Sequence, residues 1–419
     1  MYPRHRIDIG LGDLAFAARA CGRRADSRRL AASVERLVSP PDDAVACLSV
    51  RSGFDLLLDA LDLPAGSDIL VSAITHPDMV GIVELHGLRP VPVDLDLDTL
   101  APRPELVESS IGPSTQALLV SPLFGTTVDL EPYAEVARGN GLLLIEDCAQ
   151  SLHEPGLRGD PHADVTLFSF GPIKTATALG GAVVRVRDPE LRERMRETLA
   201  GRPVQSRHQF LARVLKFAVL SALARPRAFR TFVRLCERRG RDLDEMLSSF
   251  VRGFKLPYDD PAFRTRIRRR PCGPLLRLLH RRLATFDVGR LARRSALGER
   301  MAEELPATFL HPGRRAPIRS HWVFPVVSAD PTALIAALRR EGLDAAPPHA
   351  TSAIVVVPAP PDRPETEPTA ATWLMEHIVF LPAYPELPER AVARLLDAVR
   401  KAGATATPVE PPRARALVQ

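Results

Sequence analysis

Aromatic residues are scarce in this chain. They make up 5% of 419 residues, with only two tryptophans and four tyrosines. Few rings are available to stack on bases, and no nucleic-acid recognition motif is present, so nucleic acid is not an expected partner. Cysteine is equally sparse. The five cysteines, at 21, 47, 148, 236 and 272, form no CxxC pair and no metal-ligand spacing. That excludes a disulfide framework and a zinc site, and it suits reduced thiols in the cytosol. No run of 18 or more apolar residues occurs, so no transmembrane span is expected. The opening MYPRHRIDIG has no apolar signal core. Walker loops, G-x-S-x-G elbows and EF-hand loops are also missing.

The remaining composition is ordinary for a folded globular chain, at 45% hydrophobic and 25% charged. The length predicts one large domain and a smaller one. The net charge of +6 is unevenly placed. Residues 201–270 hold 18 Arg and Lys against 6 Asp and Glu, a local +12 that leaves the rest of the chain at −6.

The most informative stretch is 142–184. The apolar run Leu142-Leu143-Leu144-Ile145 stops at Glu146-Asp147, and Val165–Phe170 leads into Gly171-Pro172-Ile173-Lys174. Gly180-Gly181 then releases Ala182–Val186. Short apolar runs bounded by turn signals read as buried strands. Asp147 and Lys174 both follow such strands, where open α/β sheets bind ligands. A lysine for a Schiff base and a carboxylate to keep a pyridine nitrogen protonated are what pyridoxal 5'-phosphate needs. The plain alternative is a surface lysine and a helix-capping aspartate. Cys148, beside Asp147, reads as a small buried residue.

The combination of Glu146-Asp147-Cys148-Ala149-Gln150, Phe168-Ser169-Phe170-Gly171-Pro172-Ile173-Lys174 and Gly180-Gly181-Ala182 resembles the DegT-type sugar aminotransferases, a branch of the fold type I pyridoxal-phosphate enzymes. The resemblance implies an α/β fold with a mostly parallel central sheet in the large domain and a smaller α+β C-terminal domain. It implies that Lys174 carries the cofactor, Asp147 pairs with the ring nitrogen, Gln150 bonds the ring hydroxyl and Ser169 holds the phosphate. Ser52-Gly53 fall on the family's Ser-Gly-Thr turn, with Phe54 in place of the threonine. A Ser-Gly turn opening a helix offers amides and a favourable dipole to an anion, and backbone donors at Gly53 and Phe54 are the expected contacts. His76 falls on the position whose ring stacks on the pyridine; its alternative is a loop histidine starting a helix. The family's N-x-R-M motif is delayed, with Arg268 on the asparagine that reaches the partner subunit's phosphate and Arg270 on the arginine. A basic surface is the alternative for Arg268.

The alternation of strands and helices from 46 to 186 argues for a parallel sheet covered on both faces. The expected division is a helical lead-in at 1–45, a cofactor-binding core at 46–200, a basic helical insertion at 201–266, connecting helices at 267–305, a small domain at 306–405 and a disordered tail at 406–419. Ser39–Asp43 reads as a breaker, and Leu243–Phe250 continues the basic helical pattern. Apolar residues interleaved with arginine in 207–250 suit a helical hairpin packed on its own domain, a peripheral contact with an anionic membrane, or a lid over an anionic substrate. The family's pocket-forming tyrosine has no counterpart in 345–352, where His349 is the only ring. The resemblance implies a homodimer with a shared site, an amino-acid donor such as glutamate, and a keto acceptor: a nucleotide-linked keto-sugar, or another anionic or lipid-linked compound. A lyase or other reaction on the same cofactor, and a non-catalytic scaffold, are the competing readings.

Overall fold

The protein is described by a computed structural model covering residues 1–24, 26–38, 43–152, 159–240, 244, 246, 257–351 and 353–412. The breaker at 39–42, most of the helix expected at Leu243–Phe250 and the end of the tail lie outside the described residues.

Strands β1 (Ala44–Cys47), β2 (Asp68–Ser72), β3 (Ile74–Thr75), β4 (Arg89–Val93), β5 (Thr115–Val120), β6 (Leu143–Asp147), β7 (Val165–Ser169) and β8 (Ala182–Val186) build the large domain. Seven of them form one sheet in the order β1-β8-β7-β6-β5-β2-β4. β8 runs antiparallel to both neighbours, and the other pairings are parallel. The expected mostly parallel sheet is therefore present. Its strands are buried almost throughout, which is why they appear as unbroken apolar runs.

Helices α1 (Leu11–Cys21), α2 (Ser27–Val38), α3 (Val50–Leu61), α4 (Pro77–Leu85), α5 (Pro104–Ser109), α6 (Glu131–Gly139), α7 (Pro189–Gly201), α8 (Arg207–Leu223) and α9 (Pro226–Arg238) follow in chain order. α3, α4 and α7 cover part of the sheet through Phe54, Leu57, Ile82 and Met195. α1, α2, α8 and the helix Gly273–Ala284 share a separate core of Leu14, Val34, Phe210 and Leu276. α5 and α6 pack on Leu70, Leu118 and Leu144. The small domain pairs β9 (Phe324–Val327) with β11 (Ile378–Leu381). Leu334, Leu338, Leu395 and Val399, from two helices, share their core. Between these strands, β10 (Val355–Val356) returns to the large domain and pairs with β3.

The first residues are not a passive lead-in. Tyr2 exchanges backbone bonds with Gly342 and Asp344 at 2.8 and 3.0 Å. Arg4 forks onto Asp344 at 2.8 and 2.9 Å. Further on, Asp8 Oδ2 accepts from the Ala176 amide at 2.8 Å. Residues 2–8 thus strap the small domain to the loop carrying Lys174.

The basic segment also packs inward. α8 buries Phe210, Val214 and Phe217, and α9 buries Phe229, Val233 and Cys236. Part of their apolar spacing is thus spent on the protein's own core, while Leu215, Val219 and Leu235 stay exposed. Among the described residues no helix is long and apolar enough to cross a membrane.

Candidate active site

Parallel strands put their carboxyl ends on one edge of the sheet, and three candidate residues stand there. Asp147 ends β6 and Ser169 ends β7. Lys174 follows on the tight connection from β7 to the antiparallel β8. Because β8 is antiparallel, this connection needs no crossover helix. It is pinned by hydrogen bonds: Thr177 Oγ1 donates to the Gly171 carbonyl at 2.6 Å, and the Ala178 and Gly180 amides both reach the Phe170 carbonyl at 3.1 and 3.0 Å. Ala176 and Leu179 are held at φ +53° and +61°. Non-glycine residues in this region cost about 1–3 kcal/mol each and persist where the surroundings over-determine them.

Burial pulls the Lys174 amine down to about 8, with the Asp147 carboxylate opposing and Arg51 adding to the shift. Burial pushes the Asp147 carboxyl up to about 6, opposed by the Ala149 amide at 3.0 Å and by the Lys174 charge. Each group thus feels the other. The Lys174 ammonium lies 4.4 Å from the centroid of the Trp322 ring, and the Trp322 indole donates to the Ile173 carbonyl at 3.0 Å. His5, from the strap, stacks on the other residue of this pair, Trp322, at 6.2 Å. His5 Nε2 is buried with no hydrogen-bond partner. Burial, then Arg4 and Lys174, lower its ring to about 3. Sequence reasoning missed Trp322 and His5, and neither lies in a motif.

The anion-receiving turn differs from the expectation. Ser49, not Ser52, caps α3, and its hydroxyl accepts from the Ser52 amide at 3.3 Å. The Gly53 amide is spent on the Ser49 carbonyl at 2.9 Å. Phe54 lies inside the helix and is wholly buried in the core. The amides expected as donors, Gly53 and Phe54, therefore lie beyond the first turn of α3, which opens at Val50. Gly53 is glycine for packing: a Cβ there would sit 2.5 Å from Val184 Cγ2.

The remaining candidates are placed as follows. Gln150 Oε1 accepts from the Phe124 amide at 3.0 Å. His76 caps α4, with Nδ1 accepting from the Asp78 amide at 3.1 Å. Asp78 also pairs with Arg51. Arg268 is not gathered with these groups. Its guanidinium bonds Asp55 at 3.0 and 3.2 Å and reaches Asp59 at 3.5 Å. Arg202 lies 2.8 Å from the other Asp55 oxygen. Within one chain its charge is thus engaged on α3, away from the turn at Ser49.

The site fits a pyridine cofactor with a phosphate arm. A buried carboxylate with no arginine at contact distance among the described residues is completed by a protonated ring nitrogen, and a lysine near 8 is a competent amine. The protein has the fold type I architecture seen in an aminotransferase TlmJ from Streptoalloteichus hindustanus, at 21% identity over 96% of this chain and 99% of that one, with a TM-score of 0.67. S. venezuelae DesV matches at 24% identity over 94% of each chain, TM-score 0.62. The PMP form of a putative sugar aminotransferase, Spr1654 from Streptococcus pneumoniae, matches at 15% identity over 96% and 97%, TM-score 0.69. These likenesses establish the fold. In sequence, residues 26–222 match the model of the DegT/DnrJ/EryC1/StrS aminotransferase family. The resemblance carried by Glu146–Gln150, Phe168–Lys174 and Gly180–Ala182 is borne out. Its members are pyridoxal-phosphate-dependent aminotransferases, and the matched region holds both Asp147 and Lys174. It also extends through nearly all of α8, so that helix is not foreign to the family region.

Proposed function

We propose that this protein moves an amino group from an amino-acid donor, glutamate first among them, to a keto acceptor, using pyridoxal 5'-phosphate held by Lys174, Asp147, Ser169 and the turn at Ser49. The observation that carries the reading is the pairing of a lysine amine lowered to about 8 with a buried carboxylate at the carboxyl edge of a parallel sheet. When bound, the cofactor supplies the electron sink that makes the donor's Cα proton removable. Lys174 is the group to take and return that proton, because burial lowers its amine to about 8 and so leaves an uncharged fraction just above neutrality. Asp147 keeps a compensating negative charge at the far end of the ring. Trp322 and His5 cover the amine and limit water at the reacting centre.

His76 as a ring-stacking group, Gln150 as a partner of the ring hydroxyl, and a second copy of the chain completing the site belong to the same reading. So does a keto-sugar or another anionic or lipid-linked acceptor. The test is spectroscopic. The purified protein, reconstituted with pyridoxal phosphate, should show a visible absorbance band that Lys174→Ala abolishes. Glutamate should bleach that band as the amino group is transferred. A Lys174-dependent band that no amino acid alters would replace amino transfer with another reaction of this cofactor. Absence of any band would remove the catalytic reading.

A further inference from the structure

We propose that Arg213, delivered by α8, joins Arg51 as an arginine clamp for the cofactor's phosphate, supplied within one chain. The inference rests on the pyridoxal-phosphate reading above and concerns how this chain holds that group.

Several elements converge on one corner. Ser169 ends β7 opposite Ala182 of β8, and Cys47 of β1 flanks Ala182 on the other side. The Gly181 amide donates to the Leu48 carbonyl at 2.8 Å, which ties the start of β8 to the residue before the α3 cap. The first-turn amides of α3 open here, with the positive end of its dipole. Arg51 is the second residue of that helix.

Arg213 closes the corner from above. Its Nη1 donates to the Leu179 carbonyl at 3.0 Å and lies 3.0 Å from where a Cβ of Gly180 would be. The glycine thus lets the guanidinium approach the backbone. This hydrogen bond goes to a carbonyl and neutralises nothing. Burial and then the charge of Arg51 hold Arg213 below the ordinary arginine range. Arg51 acts on Lys174 in the same direction. Arg51 therefore bears on both Arg213 and Lys174 around a helix N-terminus, with its contact to Asp78 as an acidic counterweight. Like charges held together in a partly desolvated corner are costly unless an anion lies between them. A phosphate dianion has that charge, and guanidinium groups suit its oxygens. The clamp takes over from Phe54, which lies in the core, and from Arg268, which is engaged by Asp55.

The experiment compares two probes on the apo protein, pyridoxal phosphate and pyridoxal, which differ only in the phosphate. In wild type, pyridoxal phosphate should bind much more tightly. Arg213→Gln should weaken pyridoxal phosphate about tenfold or more, the range for a lost charge-assisted hydrogen bond, and leave pyridoxal unchanged. Arg213→Lys should restore part of the preference. If Arg213→Gln keeps the wild-type preference, or weakens both probes equally, Arg213 is a structural residue and the clamp is wrong. A wild type that takes up neither probe overturns the cofactor reading itself, and the clamp with it.

Discussion

The ammonium of Lys174 lies 4.4 Å over the ring of Trp322. Lys174 belongs to the sheet edge of the large domain, whereas Trp322 stands just before the first strand of the small one. The relationship is therefore tertiary, made by two parts of the chain that share no local motif. His5 leans on the same indole from the strap.

This arrangement predicts how Lys174 responds when its cover is thinned. His5 is neutral, so His5→Ala removes bulk without removing charge. Water then reaches the amine, and its pKa should rise from about 8 toward the ordinary lysine value. The pH profile for capture of pyridoxal phosphate should move to higher pH. An unmoved or downward profile would show that the strap does not shield Lys174.

Asp147→Asn should act in the opposite direction. The carboxylate favours the charged lysine, so its loss should lower the Lys174 pKa below about 8 and move the capture profile to lower pH. Stability carries a second signature. Asp147 is raised from 3.8 to about 6 in the folded protein, so the native state holds a proton there that the unfolded chain releases. Its contribution is present below pH 4 and is lost as pH rises to about 6. Denaturant titrations of the apo protein should show that slope, and Asp147→Asn should flatten it.

The arginines on α3 give a contrast between stability and cofactor binding. Asp55 is 0% exposed and faces Arg202, Arg268 and His86. Burial pushes its carboxyl up, but those three partners hold it below the usual range. Asp55→Ala takes the buried carboxylate from two guanidinium groups, leaving them only the longer contacts to Asp59, and should cost about 3 kcal/mol in denaturant unfolding. Arg268, with a side chain 34% exposed, is the milder site. Arg268→Gln should leave affinity for pyridoxal phosphate unchanged. A large fall would return Arg268 to the phosphate, reached across a subunit boundary.

Gly53→Ala separates packing from anion binding. The added methyl meets Val184 Cγ2 at 2.5 Å, so α3 must shift from β8 or Val184 must turn. Overpacking of this kind costs about 1–3 kcal/mol. Thermal unfolding of the apo protein should show the loss before any cofactor is added. A variant as stable as wild type that no longer takes up pyridoxal phosphate would restore the anion-turn role of Gly53.

The sheet and the chemical pair were legible because each is written locally. The apolar runs stop at charged or glycine-containing turns, and Lys174 is one of four lysines, beside Lys216, Lys255 and Lys401. The start of α3 was misplaced because Ser49 and Ser52 are both good caps one turn apart. Only the hydrogen bonds choose between them. His5 lay beyond reach because its strap is fastened to residues some 340 positions away. Arg213 was hidden in a segment whose many arginines read as a class. Arg268 was read by motif register, but it answers to an aspartate 213 residues earlier.

The division between sheet edge and cover has a mechanical consequence. Asp147, Ser169 and Lys174 share one hydrogen-bonded sheet and its pinned connection, so they form a stiff floor. Trp322 and His5 form a roof hung from the small domain and joined to that floor by the Trp322–Ile173 and Asp8–Ala176 bonds. A hinge motion that breaks those bonds, together with the Arg294–Thr175 and Ser320–Gly125 bonds beside them, would lift the roof without altering distances among the floor residues. Entry and departure of substrates can then be governed by roof opening, while the chemical step keeps one rigid geometry throughout the cycle.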